Sequence, residues 1–225
     1  MAIKPINWNE IPDQTDKIVW DRLTANFWLP EKVPVANDID TWRKMTPVEK
    51  ELVRKVFATL TYYDTVQGVE GAPSLLRVAD TPHAEAVFTN IAFMESVHAK
   101  SYSTIFSTLC STDEINELFK WAEDDNLLNQ HIDQLTEAYA GGHIRAFVTS
   151  VFLESMLFYT GFYTPLRFAS QGRLTNTADI IRLILRDEGV HGYYIGYKAQ
   201  KMKEAIDLTD EAYANLVYDV CQKFY

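Results

Sequence analysis

The chain has 225 residues, 47% hydrophobic and 13% aromatic, enough to bury a substantial core and too apolar for a disordered segment. Its 21 Lys and Arg against 31 Asp and Glu leave a net charge of −10, which argues against nucleic acid or an anionic membrane held through a basic patch. Cys110 and Cys221 are the only cysteines and neither sits in a CxxC, which excludes a disulfide framework and fits a reducing, cytoplasmic setting.

From the N-terminus, MAIKPINWNE lacks the basic-then-apolar order of a signal peptide, and no apolar run reaches the roughly 18 residues of a membrane span. A soluble protein without a membrane partner is expected. Residues 1–44 carry several turn formers and read as an ordered arm with at most a short helix near 16–25. Residues 45–225 read as a helical bundle in the same single domain. Thr46-Pro47-Val48-Glu49 has the pattern of a capping box with proline at the first helical position, opening a helix to about Gln67. Asp80-Thr81-Pro82 opens a second, running to about Leu109. Ser111 with Glu114 caps a short helix over about 112–124, and another covers about 126–140. Gly141-Gly142 is a break. Further helices are expected over about 144–170 and from Asn176 to about Ala205, and a last one starts at Thr209 or Asp210. It is still in register at Tyr225, with no Gly, Asn or Pro stop, so the bundle reads as incomplete at its C-terminal end. Strand-like alternation and repeats of 20–50 residues are absent from this pattern, so the fold class is all-α.

Glu95/His98 and Glu188/His191 are two copies of Glu-x-x-His, each in a long apolar-periodic stretch. Three residues apart on a helix, Glu and His lie one above the other and present an oxygen and a nitrogen ligand together. Each such stretch follows one with a lone carboxylate, Asp64 in TLTYYDTVQGV and Glu154 in TSVFLESMLFY. This set matches the arrangement by which four-helix bundles hold two iron or manganese ions. Four carboxylates balance the charge of two divalent cations, and the His and carboxylate mixture suits Fe or Mn better than Zn or Mg. The competing reading is a set of buried carboxylates paired with arginines such as Arg145, Arg182 and Arg186. His83, His131 and His143 read as surface or capping residues.

Tyr102 lies four residues after His98 and seven after Glu95, on the same helical stripe. A phenol so placed can be oxidised by an activated metal site; the plainer reading is a core tyrosine.

The stretches WDRLTANFWLPEKVP, MESVHAKSYSTIFSTL, SVFLESMLFYTGFY and ILRDEGVHGYY resemble the radical-generating small subunit of ribonucleotide reductase, most closely its class Ib branch. With the helices between them they cover nearly the whole chain. The resemblance implies a ferritin-like bundle in which Asp64, Glu95 and His98 hold one metal and Glu154, Glu188 and His191 the other. It implies two Mn or two Fe ions and a tyrosyl radical on Tyr102, with Phe158, Phe162 and Ile184 as its apolar shell. Trp28 matches the family's electron-transfer tryptophan, and Asp187 would link it to His98. The implied partners are a second copy of the chain, the large catalytic subunit that reduces ribonucleotides, and a flavodoxin-like activator. Family members continue into a tail that docks on the large subunit, and no such tail follows Tyr225, so support of nucleotide reduction is not expected of this stretch alone. The alternatives are a ligand-binding di-metal oxidase, an iron-storage bundle, or a helical interaction module without metal.

Overall fold

The computed structural model describes residues 5–140 and 143–224; the expected break at Gly141-Gly142 and the register at Tyr225 lie outside them. The described residues include eleven α-helices: α1 Gln14–Ala25, α2 Ile39–Lys44, α3 Pro47–Val66, α4 Ala72–Leu76, α5 Pro82–Leu109, α6 Thr112–Asp124, α7 Asn126–Ala140, α8 His143–Phe152, α9 Phe158–Ala169, α10 Thr175–Ala205 and α11 Asp210–Lys223. The all-α expectation holds for these residues, and none of the helices is long and apolar enough to cross a membrane.

Local chemistry explains most helix starts. Thr46 and Glu49 bond reciprocally at the head of α3, and Ser111 and Glu114 do the same for α6. Thr81 accepts from the Ala84 amide and opens α5, with Pro82 in its first turn. The start of α10 is capped from far away in sequence: both carboxylate oxygens of buried Asp38 take amides at its first turn, Thr177 N at 2.6 Å and Asn176 N at 3.3 Å. Asp38 therefore ties the N-terminal segment to the bundle as well as satisfying orphan donors.

Two departures from the expected helices matter for the site. The helix from Pro47 does not stop at Gln67; it passes through a π-helical turn, Gln67–Gly71, and continues as α4. The helix expected over 144–170 is likewise interrupted by a π-helical turn, Leu153–Leu157, between α8 and α9. Each π turn inserts a residue into the α-helical repeat and re-aims the side chains around it. The N-terminal segment also holds more structure than expected, since α2 and two short 3₁₀ turns follow α1.

The bundle is formed by α3, α5, α8 with α9, and α10. Helix α3 packs on α5 and α9, and α10 packs on α8 and α9, while α1 lies across α5 and α10. Helix α6 flanks α3, and α11 rests on α8. Between the four long elements the side chains are apolar and closed to solvent, including Phe57, Leu60, Phe88, Ile91, Phe106, Phe147, Leu153 and Ile181.

Candidate metal centre

Four carboxylates and two histidines lie at the middle of this apolar core. Asp64 comes from α3, Glu95 and His98 from α5, Glu154 from the second π turn, and Glu188 and His191 from α10. All six are at most 1% exposed. The i, i+3 spacing works as the sequence suggested, stacking Glu95 on His98 and Glu188 on His191.

The six form two groups of ligand atoms. Asp64, Glu95, His98 and Glu188 each offer one atom with mutual separations within 4.8 Å, and Glu95, Glu154, Glu188 and His191 do the same. Glu95 and Glu188 belong to both groups. In the first group His98 Nδ1 faces Glu188 Oε1 at 3.0 Å and Asp64 Oδ1 and Glu95 Oε2 at 3.4 Å. In the second His191 Nδ1 faces Glu95 Oε1 at 2.9 Å, Glu188 Oε2 at 3.1 Å and Glu154 Oε2 at 3.8 Å.

The donor set fits two divalent cations. Both oxygens of Asp64 and of Glu95, Oε2 of Glu154 and Oε1 of Glu188 lack any hydrogen-bond partner, as does His98 Nδ1. Buried carboxylates left so cost several kcal/mol each unless a cation meets them. The arginine alternative fails: Arg145 pairs with Asp219, Arg182 with Asp179, and Arg186 reaches the Asn26 carbonyl. Burial, reinforced by the Glu188 and Glu95 charges, pushes the Glu154 carboxyl well above its ordinary range, and burial does the same to Asp64. For His98 burial acts downward, but the charge of Glu188 and the facing carboxylates of Asp187 and Asp64 outweigh it and hold the pKa well above 6.5. These are the signs of a site waiting to exchange protons for metal.

Around this cluster, Asp187 Oδ2 lies 3.3 Å from His98 Nε2 and accepts from Trp28 Nε1 at 2.7 Å. The Trp28 and His98 rings are stacked, with centroids 6.1 Å apart. A carboxylate on the far nitrogen fixes the ring and leaves Nδ1 free for an ion.

Tyr102 is fully buried and its hydroxyl has no hydrogen-bond partner. Burial first, then the charges of Asp64, Glu188 and Glu95, push its pKa well above 10, so the phenol keeps its proton. Phe158, Phe162 and Ile184 are buried as well, and the two phenylalanine rings stack at 6.1 Å. The aromatic ring found against Tyr102 is Phe57, at 5.6 Å, with Phe106 behind it. Phe57 was not singled out in the sequence, although it lies seven residues before Asp64 on the same stripe. Gln67, which donates to Glu154 and Ser150 and accepts from Tyr139, was not singled out in the sequence, nor were Ser150 and Tyr139. Gln67 follows Asp64 by three and Ser150 precedes Glu154 by four, so helical spacing points to both; nothing in the sequence points to Tyr139.

The remaining histidines differ from expectation in one case. His143 is exposed and His131 half-buried against the Tyr63 hydroxyl, but His83 is only 3% exposed and bonds the Asn7 carbonyl. The N-terminal segment covers the start of α5, so a position that reads as a helix end is interior.

The chain is similar to known proteins of one family. The family model described as ribonucleotide reductase, small chain, matches residues 5–225. A ribonucleoside-diphosphate reductase subunit beta from Mycobacterium leprae is 58% identical over 93% of this chain and 64% of its own length. The subunit beta nrdF2 of Mycobacterium tuberculosis is 53% identical over 99% of this chain and 69% of its own. The chain thus spans about two thirds of the length of these relatives. The crystal structure of dimanganese(II)-NrdF from Streptococcus sanguinis superposes with a TM-score of 0.93 at 45% identity, covering 99% of this chain and 81% of that one. The fold is therefore the ferritin-like bundle of that protein, and the chain belongs to the ribonucleotide reductase small-chain family.

Proposed function

We propose that this chain is the radical-generating part of a ribonucleoside-diphosphate reductase subunit beta. Asp64, Glu95, His98, Glu154, Glu188 and His191 would hold two manganese or iron ions, Glu95 and Glu188 spanning both. The S. sanguinis neighbour, described as dimanganese(II), favours manganese. Once bound and treated with an O2-derived oxidant, the ions would supply a one-electron oxidant inside the core.

The chain's own residues do the rest. Tyr102 would pass one electron to that oxidant and its phenolic proton to the neighbouring carboxylates of the cluster, becoming a neutral radical. The apolar side chains of Phe57, Phe158, Phe162 and Ile184 keep water and reductants away from it. Asp187 orients His98 and joins it to Trp28, giving the oxidising equivalent a bonded way out to the N-terminal segment. There the large subunit, with its nucleotide, would receive it. The working form is a homodimer in the cytoplasm, and a reduced flavodoxin-like protein would pass electrons to O2 to make the oxidant.

The observation that carries this reading is the doubly shared cluster: two Glu-x-x-His helices and two further carboxylates, closed to solvent beside a buried phenol without a hydrogen-bond partner. An oxidase or storage bundle does not need that phenol. The test is elemental analysis together with electron paramagnetic resonance after loading with Mn(II) or Fe(II) and exposure to O2, with and without the reduced partner. Two ions per chain and a sharp radical signal that is lost in Tyr102→Phe are expected. No bound metal, or a signal that survives Tyr102→Phe, overturns the proposal.

A further inference from the structure

Glu154 differs from the other carboxylates of the cluster in being hydrogen-bonded to a side chain outside it. Oε1 accepts a hydrogen bond from Gln67 Nε2, while Oε2 has no hydrogen-bond partner and faces His191 Nδ1. Neither oxygen of Asp64 or Glu95 receives any comparable bond.

Gln67 is itself held at both ends of its amide. Nε2 donates to Ser150 Oγ at 2.6 Å as well as to Glu154, and Oε1 accepts from the Tyr139 hydroxyl at 2.7 Å. A carboxylate bound to an ion only accepts, so in the loaded site the amide nitrogen faces Glu154, which leaves the amide oxygen toward Tyr139. The Tyr139 hydroxyl then donates to that oxygen and holds the amide in place. The backbone is shaped for this arrangement: Gln67 begins one π turn and Glu154 lies in the other. A Cβ on Gly71 would sit 2.0 Å from Gln67 Oε1 and 3.0 Å from Tyr139 Cζ, so only glycine leaves room for the pair.

We propose that Gln67, oriented by Tyr139, is a positioning residue that holds Glu154 as a one-oxygen ligand, with Oε1 tied back and Oε2 offered to the ion beside His191. This rests on the metal-centre reading above. Without the tie, Glu154 is free to swing and ligate through both oxygens, which changes the coordination of that ion and leaves the Asp64–His98 side alone. Outer hydrogen bonds of this kind set the orientation and affinity of metal ligands.

The test uses the whole chain and Mn(II) as the probe. Tyr139→Phe removes the orienting hydroxyl and keeps the ring; Gln67→Met removes the amide at similar length. Titration calorimetry is expected to show two ions bound by the unaltered chain, and one of the two weakened roughly tenfold in each variant. The Mn(II) resonance spectrum should change with it, while circular dichroism stays helical. Should Tyr139→Phe fold poorly, Gln67→Met alone decides. Wild-type affinities and spectrum in a folded variant overturn this inference, as does an equal loss at both ions. If the unaltered chain takes up no manganese, the metal-centre reading fails and the inference with it.

Discussion

Trp28 and His98, 70 positions apart in the chain, meet on a single atom. Asp187 Oδ2 accepts the indole N–H at 2.7 Å and lies 3.3 Å from the imidazole Nε2. Asp187→Ala removes the acceptor for two buried donors at once. The expected cost is about 1–3 kcal/mol of stability, with manganese affinity on the His98 side down roughly tenfold or more. Asp187→Asn keeps one acceptor oxygen and should recover most of the stability and only part of the affinity. Urea unfolding and manganese titration on the two variants separate these effects.

Tyr102→Phe should leave stability unchanged or slightly raised. The hydroxyl is fully buried and bonds to nothing, so the protein already bears its desolvation cost. Removing it takes away an unsatisfied polar group and leaves a ring of nearly the same shape. Thermal unfolding of the metal-free forms checks this. A loss of more than about 1 kcal/mol would mean that the hydroxyl has a partner the structure does not show.

The six cluster residues were legible in the sequence because each lies on a helix whose apolar period fixes which way it points. Glu95 with His98 and Glu188 with His191 needed only the i, i+3 rule. What the spacing did not reveal is that Glu95 and Glu188 belong to both groups, since that depends on how close α5 and α10 come across the core. The π turns were hidden because one inserted residue leaves no composition signal; Leu153–Leu157 reads as ordinary helix. Tyr139 was invisible for a different reason: its partner Gln67 is 72 residues away, and only the packing of α7 against the first π turn joins them. His83 was misjudged because its burial is due to residues near Asn7, whose path no local pattern predicts.

Metal-free protein should lose stability as the pH rises above neutrality. His191 is pulled down by burial, but the facing carboxylates of Glu154, Glu188 and Glu95 outweigh that and place it well above 6.5, as His98 is. Asp64 and Glu154 are raised above their ordinary values of 3.8 and 4.5. All four bind protons more tightly folded than unfolded, so their contribution falls as pH rises past the unfolded values toward the folded ones. Glu188 runs the other way: burial raises it, but the His98 charge and several hydrogen bonds hold it below 4.5, so it matters only in acid. Melting of apoprotein between pH 6 and 8.5 should therefore show a falling midpoint. Bound manganese replaces those protons, and the loaded protein should show a flatter profile and release protons on uptake. A flat apoprotein profile would show that the cluster is not protonated before metal enters.

Lys198 is the point at which the N-terminal helix is fastened to the bundle. Its ammonium, 4% exposed, lies 2.8 Å from Asp16 Oδ1 and Asp80 Oδ1 and 3.1 Å from Asp13 Oδ2. Asp13 has a second cation in Lys201 and Asp80 is half exposed, so both keep other sources of stabilisation. Asp16 does not; it is fully buried and would retain only the Tyr194 and Thr81 hydroxyls. Lys198→Met keeps the aliphatic stem and strands that charge, for which breaking a buried pair typically costs about 3–5 kcal/mol. Pairing it with Asp16→Asn should restore a good part of the loss, because the stranded charge disappears too. The damage should also be local at first. Helix α1 ends three residues before Trp28, so faster amide exchange over residues 14–28 is expected ahead of α5 and α10. Uniform exchange across all three helices would place Lys198 in the general core instead of at the hinge of the N-terminal segment.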